Sequence, residues 1–368
     1  MSALPDDAIP ALLNRHESKI VAERKIKNVT LRDVARRVGV SAMTVSRALS
    51  GKEHLVGAET ARRCRDVAEQ MGYVPNLMAR SLRGEQLNTI VMLAEFISSH
   101  HYLAKLVDEV SQAIEARKYG VISCQSFSSY RQALRNFKLA GAVVIAPPEE
   151  FYRVSAGESS SVTAGTPTVL IHSAVEQTRF HEVSPDIAGF SYIAASHLIG
   201  LGHRHLGYLG GPHPEEEPSW FELRRRGIER AFKEHGISAS NVRQEACANA
   251  NLCAASLQKL LTSAPQTTGI ICINDEIAMA SVVAAASIGR EVPRDLSIVG
   301  CNDIQLAQYF RPALTTIGID IKAMVATALD LLFEEIRRNP DADPREPIRI
   351  RLPATLITRD STARVASQ

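Results

Sequence analysis

The sequence has 368 residues, 45% of them hydrophobic, and a formal net charge of +2. This length suits two or three domains with a sizeable core rather than one small domain. The six cysteines form no CxxC pair, and the sequence has neither a secretory signal nor a long apolar run. These features argue against a zinc-thiolate, exported or membrane-spanning protein. They predict a cytoplasmic protein with reduced thiols.

Charge is distributed unevenly along the chain. Residues 28–86 contain 10 Lys and Arg against 6 Asp and Glu, whereas residues 87–368 contain 27 against 30. A basic module on a slightly acidic body is typical of a small domain that contacts phosphates, with chance unevenness as the alternative. Residues 1–27 are polar and mixed in charge. We interpret them as a flexible extension, and a basic arm near DNA is the second interpretation.

Residues 28–74 show the pattern of a small helical domain. Thr30 can cap the first helix, with Asp33 three residues later in the capping-box position, and Gly39 ends that helix. Ser41 can cap the next helix directly after the turn. The apolar spacing predicts helices over Leu31–Val38, Ala42–Leu49 and about Ala58–Met71. Two helices joined by a tight Gly turn form a helix-turn-helix, although a plain helical hairpin has the same pattern.

Residues 75–86 are predicted to be a linker that contains a very short helical segment. The chain breaks at Val74-Pro75, and Asn76 can cap the short segment LMARSLRG. One or two turns of helix are not stable in isolation. The leucines of this segment have no core of their own to enter, so the segment needs a partner.

These features in this order resemble the lactose-repressor (LacI/GalR) family of bacterial transcription regulators. The resemblance is carried by TLRDVARRVGVSAMTVSRAL, by the VP-N step after Gly-Tyr and by the segment ARSL. It is dense over residues 29–84 and continues collinearly to about Thr362. The resemblance implies that the second helix lies in the DNA major groove. It also implies that the segment from Asn76 to Leu82 becomes helical only on operator binding, with Leu82 wedged between base steps of the minor groove.

The same resemblance implies which residues contact DNA. Ala42 and Met43 would face base edges, and Arg47 would reach a base or a phosphate. Arginine can make a two-pronged bond to guanine, whereas hydroxyl groups suit phosphate oxygens. The predicted DNA-binding residues are Thr30, Leu31, Ser41, Ala42, Met43, Thr44, Ser46, Arg47, Asn76, Ala79 and Leu82.

Residues 87–362 alternate short apolar runs with helical stretches. The runs are non-alternating, as is typical of parallel strands: TIVML, YGVISC, AGAVVIAP, TPTVLIH, HLGYLGG, TTGIICIN and DLSIVGCN. We therefore predict an all-α helix-turn-helix head followed by an α/β core of two parallel-sheet subdomains around a cleft. The resemblance implies a periplasmic-binding-protein-like core. The strand order cannot be derived from the sequence. The residues from Ser361 onwards are predicted to fray, with 363–368 as the tail proper.

Polar residues after the apolar runs are candidates for an effector site. Ligands of open parallel sheets bind beyond the carboxyl ends of the strands, and Trp220 could stack on a sugar or a base. The resemblance implies that Arg224 and Asn274 contact the ligand. The predicted effector-binding residues are Ser99, His100, Trp220, Arg224, Asn274 and Asn302.

Two departures from the family pattern bear on that site. The usual Gly-aromatic-Asp is Gly300-Cys301-Asn302 here, and the lost carboxylate argues against a typical neutral-sugar pocket. Together with Arg224 and His100, it predicts an acidic or phosphorylated ligand. In addition, only a short connection separates Cys124 from Ala142, which predicts a shortened crossover helix or a missing part of one pocket wall.

We therefore predict a ligand-responsive transcriptional regulator, a repressor of a carbohydrate or sugar-acid operon. It would act as a cytoplasmic, nucleoid-associated homodimer on palindromic operator DNA, without a membrane, metal or cofactor. His203 and His205 resemble a metal pair but lack further ligands, so a structural role is predicted. A solute-binding protein with the same core is the alternative function. An enzyme is not supported, because the sequence contains no set of nucleophile, base and orienting group.

Overall fold

The computed structural model describes residues 29–49, 55–74, 86–95, 100–156, 165–173, 178–211, 218–338 and 345–365. The chain divides into two compact units, residues 1–79 (the head) and residues 80–368 (the body). The predicted extension 1–27 and nearly all of the predicted linker 75–86 lie outside the described residues. Within the described ranges, no helix is long and apolar enough to cross a lipid bilayer.

The described head is built from the predicted helices α1 (Leu31–Val38), α2 (Ala42–Leu49) and α3 (Ala58–Gln70). Thr30 Oγ1 accepts a hydrogen bond from Asp33 N at 3.3 Å, and Asp33 Oδ2 accepts one from Thr30 N at 3.0 Å. This reciprocal capping box starts α1, and Gly39 ends it with a φ of 79°. At the start of α2, Ser41 Oγ accepts a hydrogen bond from Thr44 N at 3.1 Å. The local sequence therefore sets both helix boundaries.

One small apolar core joins the three helices. Val45 and Ala48, three residues apart on α2, both face this core, which leaves Met43 and Arg47 on the outer side. The buried members of the core are Val34, Ala35, Val38, Val45, Ala48, Ala61, Cys64 and Ala68. The predicted helical head is confirmed.

The body contains strands and helices in alternation. Its described strands are β1 (Leu87–Ala94), β2 (Gly120–Cys124), β3 (Leu139–Ile145), β4 (Thr168–Ile171), β5 (His181–Pro185), β6 (Leu206–Leu209), β7 (Val242–Glu245), β8 (Gly269–Cys272), β9 (Ser297–Cys301), β10 (Thr315–Gly318), β11 (Arg349–Leu352) and β12 (Thr355–Ile357). Its described α-helices are α4 (His101–Ala116), α5 (Phe127–Asn136), α6 (Glu149–Ala156), α7 (Ile187–Gly200), α8 (Pro218–Glu234), α9 (Cys253–Ser263), α10 (Asp275–Ser287) and α11 (Ile321–Arg337).

These strands form two sheets, and each is the centre of one subdomain. The first has the order β11-β5-β4-β3-β1-β2 and is parallel throughout. The second has the order β12-β10-β9-β8-β6-β7 and is parallel except for the antiparallel pair of β10 and β12. The chain passes between the sheets after β5, after β10 and after β11. The predicted α/β core of two parallel-sheet subdomains is confirmed.

The structure corrects the predicted frayed end. Ser361 is fully buried, and its hydroxyl donates to Ile298 O at 2.6 Å while accepting from Thr315 N at 2.8 Å. Further along, Val365 N donates to Leu201 O at 3.1 Å. The prediction of fraying from Ser361 is wrong for residues 361–365, because Ser361 is hydrogen-bonded to Ile298 of β9 and Thr315 of β10 and Val365 is hydrogen-bonded to Leu201 after α7. Residues 366–368 lie outside the described ranges.

The short connection between Cys124 and Ala142 keeps a helix. It contains α5, which has 10 residues and is capped by Ser126 Oγ, the acceptor for Ser129 N at 3.2 Å. Phe127 and Tyr130 of this helix are buried against the first sheet. The short connection therefore still contains a crossover helix, and this helix covers one face of the first sheet.

Helices α7 and α8 approach each other at Gly227. A Cβ atom on Gly227 would lie 2.0 Å from Ala188 O and 3.0 Å from Tyr192 N, both backbone atoms of α7. No side chain fits at this distance, so hydrogen at position 227 is what lets the two helices pack. Helix α8 also carries Arg224, so the contact positions that side chain.

We predict that Gly227→Ala destabilises the body by about 3 kcal/mol, at the upper end of the cost of overpacking a core. The obstacle is backbone, which cannot rotate away. Urea unfolding monitored by circular dichroism measures the change. Gly200→Ala is the matched control, because no atom lies within 4 Å of the added Cβ at the end of α7. A Gly227→Ala protein as stable as the Gly200→Ala protein would contradict the packing argument.

Candidate functional site

The outer side of α2 offers a mixture of apolar and basic groups. Met43 is 62% exposed, and Arg47 is exposed in the last turn. Ala42 is half-buried at the first position of the helix. A methionine and an alanine can contact a thymine methyl or exclude bulk, whereas Arg47 can donate two parallel hydrogen bonds to guanine.

Two of the hydroxyl groups that are predicted to bind DNA phosphates, those of Thr30 and Ser41, also cap the first turns of α1 and α2. The Thr30 hydroxyl donates to Asp33 Oδ2 at 2.6 Å, so a phosphate would have to replace Asp33 as its acceptor. Ser41 Oγ and Thr44 Oγ1 lie 2.9 Å apart. One of them donates to the other, which leaves the second proton of the pair for a phosphate oxygen.

Several predicted site residues lie outside what the structure describes. These are Asn76, Ala79 and Leu82 of the linker and Ser99 after β1. Trp220 belongs to α8, but its side chain is outside the description as well.

In the body, the structure brings His100 and Arg224 together around a residue that the sequence analysis missed, His172. This imidazole follows β4 in the first subdomain, and Tyr102 Oη lies 3.3 Å from its Nδ1. Burial first, and then the charges of Arg224 and His100, lower the pKa of His172 to about 3. His172 is therefore a neutral imidazole between a cation of the second subdomain and the start of α4.

Arg224 is only 8% exposed and acts on both walls of the cleft. Burial raises the pKa of Tyr208 to about 12 and that of Cys301 to about 12, and the charge of Arg224 opposes both shifts. Since Tyr208 and Cys301 lie in the second sheet and His172 follows the first, the guanidinium lies where the carboxyl ends of the two sheets meet.

The two predicted asparagines are in place at strand ends, but each has a structural role. Asn274 Oδ1 caps α10 by accepting from Ile277 N at 2.8 Å. Asn302 has a φ of 99°, and its Oδ1 lies 3.6 Å from Cys301 Sγ. In both amides the oxygen is engaged, so the group left to offer a ligand is the N–H donor. This donor character differs from that of the aspartate expected at position 302.

The acidic groups near this region have partners of their own. Asp275 accepts from Ile304 N at 2.8 Å and from Thr316 Oγ1 at 2.5 Å, and burial raises its pKa to about 7. Glu276 Oε1 lies 3.1 Å from His101 Nδ1, a contact that joins the start of α10 to the start of α4 in the other subdomain.

A cavity of about 230 Å³ lies where the chain crosses between the subdomains. Its lining combines Ser173 after β4, Leu223 next to Arg224 on α8, and Arg351 of β11. The Arg351 guanidinium lies 2.8 Å from Glu182, which is fully buried. A small molecule bound beside Arg224 would therefore be close to the segments that link the two subdomains.

His203 has a structural role. Its Nδ1 lies 2.8 Å from Thr268 Oγ1, and its Nε2 lies 3.1 Å from Ala363 O. Both nitrogens are engaged, and the described ranges contain no group of three or more His, Cys, Asp and Glu side chains that could hold a metal ion. The hydrogen bonds of His203 account for this residue as a structural one.

Comparison with known families agrees with this arrangement. Residues 30–76 match the model of the bacterial regulatory proteins of the lacI family, and residues 195–362 match the periplasmic-binding-protein-like domain. The chain therefore combines a lacI-family DNA-binding head with a periplasmic-binding-protein-like domain. It is thus a DNA-binding transcription regulator and not an enzyme. The lacI-family head argues against the alternative of a solute-binding protein without a role in transcription.

Two similar proteins that match over most of their length are transcriptional repressors. The HTH-type transcriptional repressor PurR of Photobacterium profundum is 28% identical over 320 residues, covering 84% of this chain and 92% of that protein. PurR of Pectobacterium atrosepticum is 29% identical over 354 residues, covering 91% and 97%. These identities extend across the head and the body of this chain.

Solved structures share the fold. The Lac repressor dimer bound to operator and the anti-inducer ONPF superposes with a TM-score of 0.75 at 23% identity, covering 91% of this chain and 99% of that one. A LacI-family regulator from Enterococcus faecium with bound ribose gives a TM-score of 0.64 at 23% identity, covering 76% and 100%. A complex of the regulator CelR with cellobiose gives 0.64 at 22% identity, covering 91% and 100%.

The lowered pKa of His172 predicts how the stability of this protein depends on pH. The pKa of His172 is about 3 in the folded protein and about 6.5 when unfolded. The unfolded state therefore binds the extra proton, and stability falls as the pH falls below about 6.5. Between about pH 7.0 and 5.5 this amounts to about 1 kcal/mol. His172→Asn should lose this part of the acid sensitivity.

Urea unfolding at the two pH values measures this difference. The opposite contribution of Asp275, whose pKa is raised by burial to about 7, is common to both proteins and cancels. His235→Asn is the matched control, because His235 is exposed on the surface of the body. Equal acid sensitivity of His172→Asn and wild type would show that His172 is not buried as a neutral group.

Proposed function

We propose that this protein is a ligand-responsive repressor that binds a palindromic operator as a homodimer. An effector that enters the cleft of the body would lower or raise the affinity of the protein for the operator. The family match of the head supports DNA binding, and the PurR relatives support repression. A protein with this target acts in the cytoplasm. The observation that carries the proposal is the pairing of a confirmed helix-turn-helix with a cleft that contains the buried Arg224.

Sequence recognition is proposed to depend mainly on α2. Arg47 donates to a guanine, while Met43 and Ala42 lie against thymine methyls. Thr30, Ser41, Thr44 and Ser46 are proposed to bind phosphate oxygens, and Leu31 is proposed to complete the DNA contact. Residues Asn76, Ala79 and Leu82 are proposed to form the minor-groove contact of the linker, which bends the operator.

Arg47→Ala should reduce operator affinity by about 10-fold to 100-fold, as loss of a two-pronged guanine contact costs about 1–3 kcal/mol. It should also reduce the preference for operator over unrelated DNA. Fluorescence anisotropy with both duplexes at two salt concentrations measures affinity and specificity together. Arg62→Ala, an exposed arginine on α3, is the control. If Arg47→Ala weakens both duplexes equally, Arg47 contacts only phosphate.

The homodimer is proposed to form through the second subdomain. Val283 on α10 is 63% exposed, and Leu306 and Tyr309 are 52% and 64% exposed. Leu306 lies one short turn from Ile304, whose backbone is bonded to Asp275 at the start of α10. These apolar side chains are therefore on neighbouring elements, and a two-fold partner would bury them. A two-fold dimer in turn presents two heads to the two halves of a palindrome.

The effector is proposed to be a sugar acid or another small anionic carbohydrate. Cellobiose and ribose are bound by related folds in the CelR and Enterococcus faecium structures. In this chain the cleft adds a buried guanidinium, the neutral donor His172, and the amides of Asn274 and Asn302. A guanidinium binds a carboxylate or phosphate with two parallel hydrogen bonds. His100, Ser99 and Trp220 are proposed to complete the pocket.

Arg224→Met should reduce the affinity for an acidic effector by about 10-fold to 100-fold, because a hydrogen bond to a charged group contributes about 1.5–3 kcal/mol. Calorimetry with gluconate, glucose, hypoxanthine and inorganic phosphate tests the class. Arg226→Met is the matched control, since Arg226 is exposed on the same helix and lies 3.0 Å from Glu222. Binding of glucose or hypoxanthine, with binding of neither gluconate nor phosphate, would contradict the proposed effector class. It would not contradict the proposal that the protein binds DNA.

The effector would act on DNA only through its different affinities for the open and closed body. Such coupling between sites amounts to about 1–3 kcal/mol in typical cases. Operator titrations with and without the effector therefore show at most about a 150-fold change. The sign of this change distinguishes an inducer from a co-repressor.

A further inference from the structure

A carboxylate of the second subdomain binds the first turn of a helix in the first subdomain. Glu276, the second residue of α10, follows β8 of the second sheet, whereas His101, the first residue of α4, follows β1 of the first sheet. Glu276 Oε1 accepts a hydrogen bond from His101 N at 3.1 Å and lies 3.1 Å from His101 Nδ1. The two residues are 175 positions apart. The contact therefore joins the subdomains directly, without the segments that connect the two sheets.

Helix α4 takes this carboxylate because its own first turn offers no equivalent. Its N-cap residue, His100, gives no side-chain hydrogen bond to the first turn, and that turn contains no acidic residue. The first amides of a helix need acceptors from outside the helix, and a negative charge is stabilising there. Glu276 supplies both. Helix α10 does not depend on Glu276 in the same way, since Asn274 Oδ1 caps it by accepting from Ile277 N at 2.8 Å.

The two parts of the contact differ in strength. The His101 side chain is 76% exposed, so water screens its ring contact with Glu276, and this part contributes little. The Glu276 side chain is only 18% exposed. A hydrogen bond from a backbone amide to a partly buried charged acceptor is among the stronger ones in proteins. The bond from His101 N is therefore the main component of the contact.

The contact adjoins the candidate effector site on both walls. In the first subdomain its neighbour is Tyr102, whose Oη lies 3.3 Å from His172 Nδ1. In the second subdomain it lies two residues after Asn274. Separation of His101 from Glu276 would therefore move these groups of the two walls apart.

We propose that Glu276 and the first turn of α4 form a latch that holds the two subdomains closed before any effector binds. When the latch breaks, the walls separate and the cleft opens to solvent. The free energy of this contact then sets the open fraction of the body, and an effector acts by changing that fraction. The role of the latch in regulation rests on the proposed effector cleft, whereas the latch itself does not.

Cys301 offers a native reporter of the open state. Its side chain is buried at the end of β9, at the carboxyl edge of the second sheet. Burial raises the pKa of Tyr102 in the first subdomain, and Cys301 adds to this shift, so the two side chains face each other. A thiol in this position reacts with N-ethylmaleimide only while the body is open. Cys124 and Cys272, each buried within one sheet, serve as internal references.

Alkylation of the purified full-length protein by N-ethylmaleimide, followed over time by peptide mass spectrometry, tests the latch. Glu276→Ala should raise the alkylation rate of Cys301 by about 10-fold, the effect of losing a hydrogen bond to a charged group. Glu245→Ala is the matched control and should leave the rate unchanged. The Glu245 side chain is 11% exposed and binds Lys259 at 2.5 Å within the second subdomain.

His101→Pro breaks the same latch from the other side. Proline has no N–H to donate to Glu276, and it is well tolerated at the first position of a helix. The charge of Glu276 stays in place, so faster alkylation of Cys301 in this variant reports opening and not a changed electrostatic environment of the thiol. The double variant His101→Pro/Glu276→Ala should react about as fast as either single variant, because both changes remove one contact.

A selective rise at Cys301 in both single variants supports the latch. An unchanged rate at Cys301 in both overturns it. A rise shared equally by Cys301, Cys124 and Cys272 overturns it as well, since the contact then supports the fold as a whole and does not hold the cleft closed. None of these results bears on the proposed function, because the experiment contains neither effector nor operator.

Discussion

Parallel pairing is the constraint on which the body depends. Each parallel strand must be followed by a crossover before the next can pair, so its carboxyl end opens into a loop at one edge of the sheet. In this chain His172, Asn274 and Asn302 follow the carboxyl ends of β4, β8 and β9. The proposed effector cleft is a consequence of this topology, and its chemistry would depend on the few side chains at those strand ends.

The parts that local sequence controls were predictable. The caps at Thr30 and Ser41 and the αL glycine at position 39 mark the head helices because each satisfies backbone groups within four residues. The apolar strands were equally visible. Strand β5, by contrast, has the sequence HEVSP, and its polar residues are buried. They fit only because distant groups pair with them: Ser184 accepts from Ser173 N, and Glu182 binds Arg351.

The same limit applies to the candidate site. Arg224 and His100 could be proposed from strand-end positions and family resemblance, but Tyr102 and His172 could not. Their contact joins residues 70 positions apart, and it depends on the strand order, which no local pattern fixes. Ser361 shows the reverse error. A small polar residue near the end of a sequence suggests fraying, yet its hydroxyl donates to Ile298 of β9 and accepts from Thr315 of β10.

The backbone contact at Gly227 has a mechanical consequence. Helices α7 and α8 are locked at a distance that allows no sliding, since any axial shift would drive Ala188 O into the neighbouring turn of α8. Because both helices pack on the second sheet, any opening or closing of the cleft would bend the segments after β5, β10 and β11, where the chain crosses between the sheets. The helix that carries Arg224 moves as one piece with the second sheet. An anion that binds to Arg224 would therefore displace the second subdomain as a whole, and not α8 alone.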